Sequence, residues 1–560
     1  MTTPPAPAAP SPDVDATDVG AVDVLIVGAG VTGIYQLHRA LEEGFTAQLV
    51  EAGTGVGGTW YWNRYPGSRF DSESYTYGYL FSEELFDEWE WTEHFAAQPE
   101  TERYLNHVVD RFDLRRHMRF GVPVTATVWD EGSGTWAVTL GDGSSIRARF
   151  VVAATGVLSV PYVPEVPGRD DFRGIQHHTG RWPKEPVDFR GKRVAVVGTS
   201  SSGVQVVSTI HEDVAELVVF QRSANWCTPL NNRPITPDEQ RELRDGFEEL
   251  RHILNTSMAG FSHPVNPKMG FDDEAEARRA FFEEMWSSPG FMKLTSNYAD
   301  LLFNEALNDE WCAFIADKIR SIVDDPVTAD KLIPKDHRFG QKRPPFVIGY
   351  FEAFNDPKVS LVDLRETPMV RVTETGIETG DGRVREFDII VWATGFDFGT
   401  GALARMGVVG RDGLALDDHW ADGPTTFLGL QTRGFPNFFF PGGPHAAAGN
   451  NPRYNGDQVD FLTEVLVTAR DRGMDVIEVS EVSEQRWTRM VDKGAAVTTF
   501  GTIGQYVGGN IPGKPKRYLL NTGGRIKLFE IMAATRDEDY AAFEMTAAPA
   551  PLGERATEPA

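Results

Sequence analysis

The sequence predicts an α/β fold: two Rossmann-like, parallel-sheet domains with a helical subdomain inserted into the second. Three observations predict it. Two strand–glycine-loop–helix units, DVLIVGAGVTGIYQLHRALEEG and KRVAVVGTSSSGVQVVSTI, stand about 170 residues apart. Each is answered downstream by an apolar strand ending in Ala-Thr-Gly, at Thr155-Gly156 and at Thr394-Gly395. From about 234 to 330 the pattern turns to charged, helix-favouring sequence such as PDEQRELRDGFEELRHIL, whose Glu/Arg pairs at helical spacing describe solvated helix faces.

Residues 1–20 carry neither a positive n-region nor an apolar h-region, so they are read as no secretory signal. Their Pro/Ala bias, and that of residues 546–560, reads as disordered tails. The first unit opens with a strand at Val22–Val27. Gly28, Gly30 and Gly33 then allow a tight turn that lays a pyrophosphate on a helix N-terminus, with Thr32 in the first helical turn. Glu51 follows 23 residues after Gly28, the spacing at which an acid accepts hydrogen bonds from ribose hydroxyls. That fits FAD or NAD. The loop-like stretch from Gly55 gathers Trp60, Tyr61, Trp62, Tyr65, Tyr75 and Tyr77 with Gly57, Gly58 and Gly67. Aromatics beside glycines suit a flat ring system such as an isoalloxazine. Gly58, Trp60, Arg69, Asp71, Tyr77 and Val124, which begins a β-meander, complete the candidate cofactor contacts of this half.

Phe172–Pro183 reads F-x-G-x-x-x-H-x-x-x-W-P, just before the second glycine loop. Its His178 sits on the connector between two nucleotide units and suits a structural or coupling role. In the second loop Gly198 and Gly203 hold the fingerprint positions, but Ser200 replaces the middle glycine. The Ser200 hydroxyl offers a donor to phosphate in place of the glycine's close backbone approach. After the next strand, AELVVFQRS, the ribose position falls on Gln221 and Arg222. Arg222 would pair with a 2′-phosphate and Ser223 would add a donor, which indicates NADP. Farther on, PKDHRFGQKRPPF places Lys342 and Arg343 ahead of two stiffening prolines; an arginine stays protonated at any working pH. The expected organisation is a discontinuous first domain (21–159 and 385–545), a second (160–233 and 331–384) and a helical insertion (234–330).

A length of 560 residues allows about three or four domains. The net charge of −27 argues against nucleic acid and anionic membranes as partners. No apolar run approaches the ~20 residues of a spanning helix. With Cys227 and Cys312 as the only cysteines, there is no disulfide framework, no Cys-rich metal site and no CxxC redox pair. A soluble cytoplasmic protein is expected, a monomer or weak homo-oligomer without metal.

These marks together resemble the type I Baeyer–Villiger monooxygenases, over about Val22 to Phe543. The residues that carry the resemblance are the two glycine loops, the Phe172–Pro183 signature, GTWYWNRYPGSRFD ending at Asp71, QKRP around Arg343, DIIVWATGFD and GGNIPGKPK. The Trp182-Pro183 ending distinguishes it from related N- and S-oxidising flavin monooxygenases. The resemblance implies FAD and NADPH, and O₂-dependent conversion of a ketone, cyclic or bulky, to an ester or lactone through a C4a-peroxyflavin. It assigns Arg343 to stabilising the peroxide anion and tetrahedral adduct, Asp71 to orienting that guanidinium, and Thr199–Gly203, Arg222, Ser223 and Lys342 to NADPH. His178 becomes a coupling residue. The alternatives are N- or S-oxidation and an uncoupled NADPH oxidase. Two departures stand out: Gln505 where the family usually has tryptophan, so loop closure is expected to differ, and the small residues Ala446–Gly449, which suggest room for a bulky ketone.

Overall fold

The computed structural model describes residues 18–446 and 449–548. Strand Asp18–Val27 is the centre of the first sheet, pairing in parallel with Ala47–Glu51 on one side and Ser145–Ala153 on the other. Val24, Leu25 and Ile26 have no exposed surface, as a strand covered on both faces requires. The meander Val124–Asp130, Thr135–Leu140, Ser145–Ala153 is antiparallel and extends the sheet outward. The chain returns to this sheet late, with Val408–Val409 beside Val124–Asp130 and Phe438–Phe439 beside Ser145–Ala153.

The second sheet has five parallel strands, in the order Val359–Asp363, Glu216–Gln221, Arg193–Val197, Ile389–Trp392, Ile175–His178. This corrects the boundary expected at 384/385. Ile389–Trp392 is laddered between Arg193–Val197 and Ile175–His178, so the second unit runs through the ATG at 393–395. The expected tail 1–20 is also shortened, because Asp18 already pairs with Ser145; residues 1–17 lie outside the described residues. At the other end, Phe543–Thr546 pairs with Val476–Val479, so structure runs past 545.

The insertion is helical, with Pro237–Asp245, Phe247–Thr256, Ala275–Ser287, Glu305–Ile322 and Pro326–Leu332. A capping box starts the first: Thr236 Oγ1 accepts from Glu239 N–H, and Glu239 Oε2 accepts from Thr236 N–H. Trp311, Phe314 and Ile315 of the long helix share one core with Val194, Val196 and Val219 of the second sheet. That helix therefore packs on the second unit, whereas Phe247, Leu250 and Leu254 of the insertion share a core with Leu80 and Phe86 of the first.

The two glycine loops are built alike, and the ATG segments explain why. Gly28 has φ +110° and Gly198 φ +113°, a region side chains disfavour. A Cβ on Gly28 would lie 2.6 Å from Ala154 O, and one on Gly198 would lie 2.3 Å from Ala393 O. Each loop closes against the alanine of its own ATG.

Candidate active site

A cavity of about 1610 Å³ lies between the two glycine loops and reaches under the helical insertion. Eighteen of the twenty residues predicted from sequence line it. Gly33 and Gly203 do not. A Cβ on either would strike the carbonyl of Gly28 or Gly198 at 1.9 and 2.0 Å, so both serve helix-to-loop packing behind the cavity wall.

On the first side, the helix Val31–Glu42 begins at Gly30 with no side-chain cap and no acid in its first turn. Its leading N–H groups are left for an anion. Glu51, 6% exposed, is fixed by two backbone donors, Ala29 N–H to Oε2 at 2.8 Å and Gly53 N–H to Oε1 at 2.6 Å. Gly58 (φ +54°) comes so close to Gly30 that a Cβ would sit 2.7 Å from Gly30 Cα. The aromatic stretch is two single helical turns, Thr59–Trp62 and Ser74–Tyr77, rather than open loop. Trp60 Nε1–H donates to Tyr77 Oη at 2.9 Å, and Tyr77 stacks on Phe70 at 4.4 Å. Thr32 Oγ1 accepts from Asn455 at 2.7 Å, and Val124 lies at the rim with Val122 and Pro123. Gly67 faces elsewhere, against Gln205 and Thr209. Arg69 also has other business: its guanidinium donates to Glu93 at 2.8 Å and to Phe95 O at 3.1 Å.

On the second side, Ser200 takes φ −92°, ψ −173°, nearly the backbone of Gly30 at φ −87°, ψ −174°. That conformation needs no glycine, and serine is a favoured residue at a helix start. The substitution is accommodated without strain. Thr199 Oγ1 donates to Ser223 O at 3.0 Å, and Lys342 Nζ donates to Ser223 Oγ at 3.0 Å. Arg222 is exposed beside them. Burial and the nearby Arg222 and Arg365 push the Lys342 ammonium below its ordinary value, against Asp336. Ser223, Lys342 and Arg222 thus line one positively charged recess of the cavity. Ser202 lines the cavity in the first turn of the helix Ser201–Ile210.

Between the two sides stands Arg343. One of its terminal nitrogens donates to both oxygens of Asp71 at 2.6 Å, and the other donates to Ser201 Oγ at 2.6 Å. Its carbonyl accepts from Asn225 Nδ2 at 3.0 Å, and its guanidinium lies over the Phe291 ring at 5.5 Å. Burial opposes the charge, but Asp71 outweighs it, so Arg343 titrates above its ordinary value. About 27% of the side chain stays accessible, leaving a charged face open. Ser201 and Asn225 are therefore supports of Arg343, and nothing in the serine run or in SANWC marks them for it. Tyr506, buried and within the field of Arg343 and Asp71, was likewise not singled out from sequence.

The signature segment couples the two units. His178 is buried, and its Nδ1 accepts from Gly180 N–H at 2.9 Å, which requires that nitrogen to be unprotonated. Burial pushes its pKa down to about 4. Trp182 N–H donates to Trp62 O at 3.2 Å, Arg181 lies over the Trp62 ring at 4.3 Å, and Arg181 also donates to Ser159 O at 2.7 Å. The late loop is docked despite Gln505. Asn510 Nδ2 donates to Phe396 O at 2.8 Å, and Lys514 pairs with Asp397 and donates to Phe398 O at 3.0 Å. Of the small residues 446–449, Ala447 and Ala448 lie outside the described residues. Among the described residues no acid, histidine and cysteine cluster could hold a metal ion, and no helix is long and apolar enough to cross a membrane.

Residues 21–234 match the flavin-binding monooxygenase-like family. The 2-oxo-Δ3-4,5,5-trimethylcyclopentenylacetyl-CoA monooxygenase of Pseudomonas putida is 44% identical over 475 residues, covering 83% of this chain and 87% of that protein. The methyl acetate-forming acetone monooxygenase of a Gordonia species is 40% identical over 503 residues, covering 89% and 94%. The crystal structure of OTEMO in complex with FAD and NADP superimposes with a TM-score of 0.91 at 40% identity, covering 94% of this chain and 99% of that one. The chain belongs to the type I Baeyer–Villiger monooxygenases. A phenazine N-monooxygenase from Lysobacter antibioticus is also similar, 37% identical over 535 residues, 94% of this chain and 98% of that protein.

As a member of that family the chain is an FAD-dependent, NADPH-using monooxygenase. The residues present fit both groups. Two uncapped helix N-termini face the cavity, the Glu51 carboxylate lines it beside the first loop, and the chemistry of the Arg222–Ser223–Lys342 recess suits a 2′-phosphate.

Proposed function

We propose that this Baeyer–Villiger monooxygenase oxidises a cyclic or bulky ketone to a lactone or ester, with Arg343 as its oxyanion-stabilising residue and Asp71 as the partner that aims it. The observation that carries this reading is the Arg343–Asp71 ion pair between the two glycine loops, one guanidinium nitrogen donating to both carboxylate oxygens. FAD reduced by NADPH supplies the oxygen-activating chemistry when bound. The protein's own part is electrostatic. Arg343 presents fixed N–H donors to negative charge that develops on oxygen, a contribution worth several kcal/mol in a dry site. Asp71 holds the fork in one orientation and Ser201 holds its second nitrogen, so no reorganisation is needed when that charge appears. His178 stays neutral and buried, serving the interdomain joint rather than proton transfer.

The apolar walls Phe261, Phe291, Leu294, Leu302, Phe500 and Leu519 line the cavity, which supports a hydrophobic ketone. Arg222, Ser223 and Lys342 are assigned to the 2′-phosphate, Glu51 to the FAD ribose, and Trp60 and Tyr77 to the wall beside the flavin ring. The charge of −27 argues against nucleic-acid partners. The test is turnover of a panel of small cyclic, macrocyclic, steroid and aryl ketones under ¹⁸O₂, with amines and sulfides alongside. Label in a lactone or ester is expected. Label confined to N- or S-oxides would overturn the ketone reading, and NADPH consumption that yields peroxide alone would replace it with an oxidase.

A further inference from the structure

The segment 257–263 of the insertion forms cavity wall without regular structure of its own. Its carbonyls are held from outside. Met258 O accepts from Arg525 N–H at 2.8 Å and from Tyr454 Oη at 3.1 Å, Ala259 O from Asn450 N–H at 2.8 Å, and Gly260 O from Asn450 Nδ2 at 3.0 Å. Its last anchor is a side-chain contact of another kind. His263 Nε2 lies 2.7 Å from Glu73 Oε1, both side chains 5% exposed, and His263 Nδ1 lies 2.6 Å from Thr295 Oγ1.

Both ends of this chain lead to the reacting centre. Glu73 is two residues beyond Asp71, and its carbonyl caps the turn that carries Tyr77, accepting from Thr76 and Tyr77 N–H at 2.9 and 3.1 Å. On the other side, the His263 ring lies flat on Phe261 at 5.0 Å and 2°, Phe261 packs on Phe291 at 5.0 Å, and Arg343 stands over Phe291. Glu73 Oε2 is buried and has no hydrogen-bond partner among the described residues. His263 is therefore the side-chain partner that compensates this carboxylate, and its loss would leave a buried acid unpaired.

We infer that Glu73, His263 and Thr295 are positioning residues for the ketone oxidation, locking the Phe261–Phe291 wall beneath Arg343 to the loop that carries Asp71. The inference rests on the assignment of Arg343 and Asp71 above. None of the three residues moves a proton in it. They hold the apolar wall that sets where a ketone carbonyl lies relative to Arg343, and small displacements of a reacting group cost rate steeply.

The test uses the full-length holoenzyme with a ketone that the wild-type enzyme converts, comparing Glu73→Ala, His263→Ala, Glu73→Gln and Thr295→Val. Both alanine variants are expected to raise KM for the ketone, and the NADPH spent per product formed, by about tenfold. The rate of NADPH-driven flavin reduction should change less than twofold. Glu73→Gln keeps an acceptor for His263 and should recover most of the loss. The double alanine variant should be no worse than either single one, since the two act as a unit. Thr295→Val, nearly isosteric, should raise KM about threefold and decides the matter if an alanine variant does not fold. Unchanged KM and coupling in these variants, or a Glu73→Gln as impaired as Glu73→Ala, would overturn the inference. Arg343→Ala reports separately: a variant that still oxygenates would remove the underlying assignment instead.

Discussion

Arg343 is held charged at a place where a solitary guanidinium would be costly. Asp71 offsets that cost through one terminal nitrogen, Ser201 takes the other, and 27% of the side chain stays accessible. The neighbouring basic group, Lys342, is arranged differently, with a hydroxyl partner at 3.0 Å and burial pushing its pKa down. Two adjacent basic residues thus sit in different settings, consistent with the separate tasks proposed for them. Arg222→Ala tests the second task. It should raise KM for NADPH by about 10- to 100-fold, the loss of one charge-assisted phosphate contact, and leave KM for NADH nearly unchanged. Steady-state kinetics with both cofactors checks this, and equal losses would refute the 2′-phosphate role. Residue types were readable here and the resemblance paired Asp71 with Arg343, but the arginine's other partners were not legible. Arg343 could be picked from QKRPP, whereas Ser201 and Asn225 come to it from 142 and 118 residues away, a proximity that only the folded chain creates.

The glycine loop is the element whose sequence says most, because steric exclusion leaves few residues able to occupy it. Each first glycine closes on an ATG alanine carbonyl, and each third glycine packs on the first. The middle position is freer, which is why Ser200 fits. Gly58→Ala puts a Cβ 2.7 Å from Gly30 Cα at φ +54°, ψ −117°, a backbone region that costs an L-residue about 1–3 kcal/mol. FAD affinity should fall at least tenfold, seen as purified protein with partial flavin occupancy; full occupancy with unaltered melting would contradict this placement of Gly58. The strand Ile389–Trp392 was misassigned for a physical reason. Chain order suggested a return to the first domain, but an all-apolar buried strand fits either parallel sheet, and register with Arg193–Val197 decides between them. The departure at Gln505 was legible as a substitution, whereas the docking of its loop depends on Asn510 and Lys514 meeting Phe396–Phe398.

Across the whole molecule, the two sheets, the shared insertion and the late loop meet around one cavity, and both His178 of the signature segment and His445 are buried. Burial pushes His178 down to about 4 and His445 down to about 3. Between these values and an unfolded pKa near 6.5 the unfolded chain binds protons that the native protein refuses, so stability falls as pH drops. The His178 contribution is absent above about pH 6.5 and reaches a loss of about 3 kcal/mol near pH 4. Thermal melting from pH 8 to 4 should show this slope, and His178→Gln should flatten it; a variant with the wild-type slope would contradict the buried neutral histidine. The organisation of two glycine-loop units around an inserted helical region was legible because it is written in local patterns. The convergence of 18 candidate residues on one cavity depends on how the two sheets face each other, which no local pattern encodes.

The central claim, that Arg343 serves oxygen transfer and not flavin reduction, is tested most directly by following both half-reactions in Arg343→Ala. Anaerobic rapid mixing with NADPH should give flavin reduction within a few-fold of wild type. The same reduced variant mixed with O₂ and ketone should form at least 100-fold less lactone or ester, the scale expected for removing a preorganised oxyanion donor. Lactone or ester at the wild-type yield and rate would contradict the account.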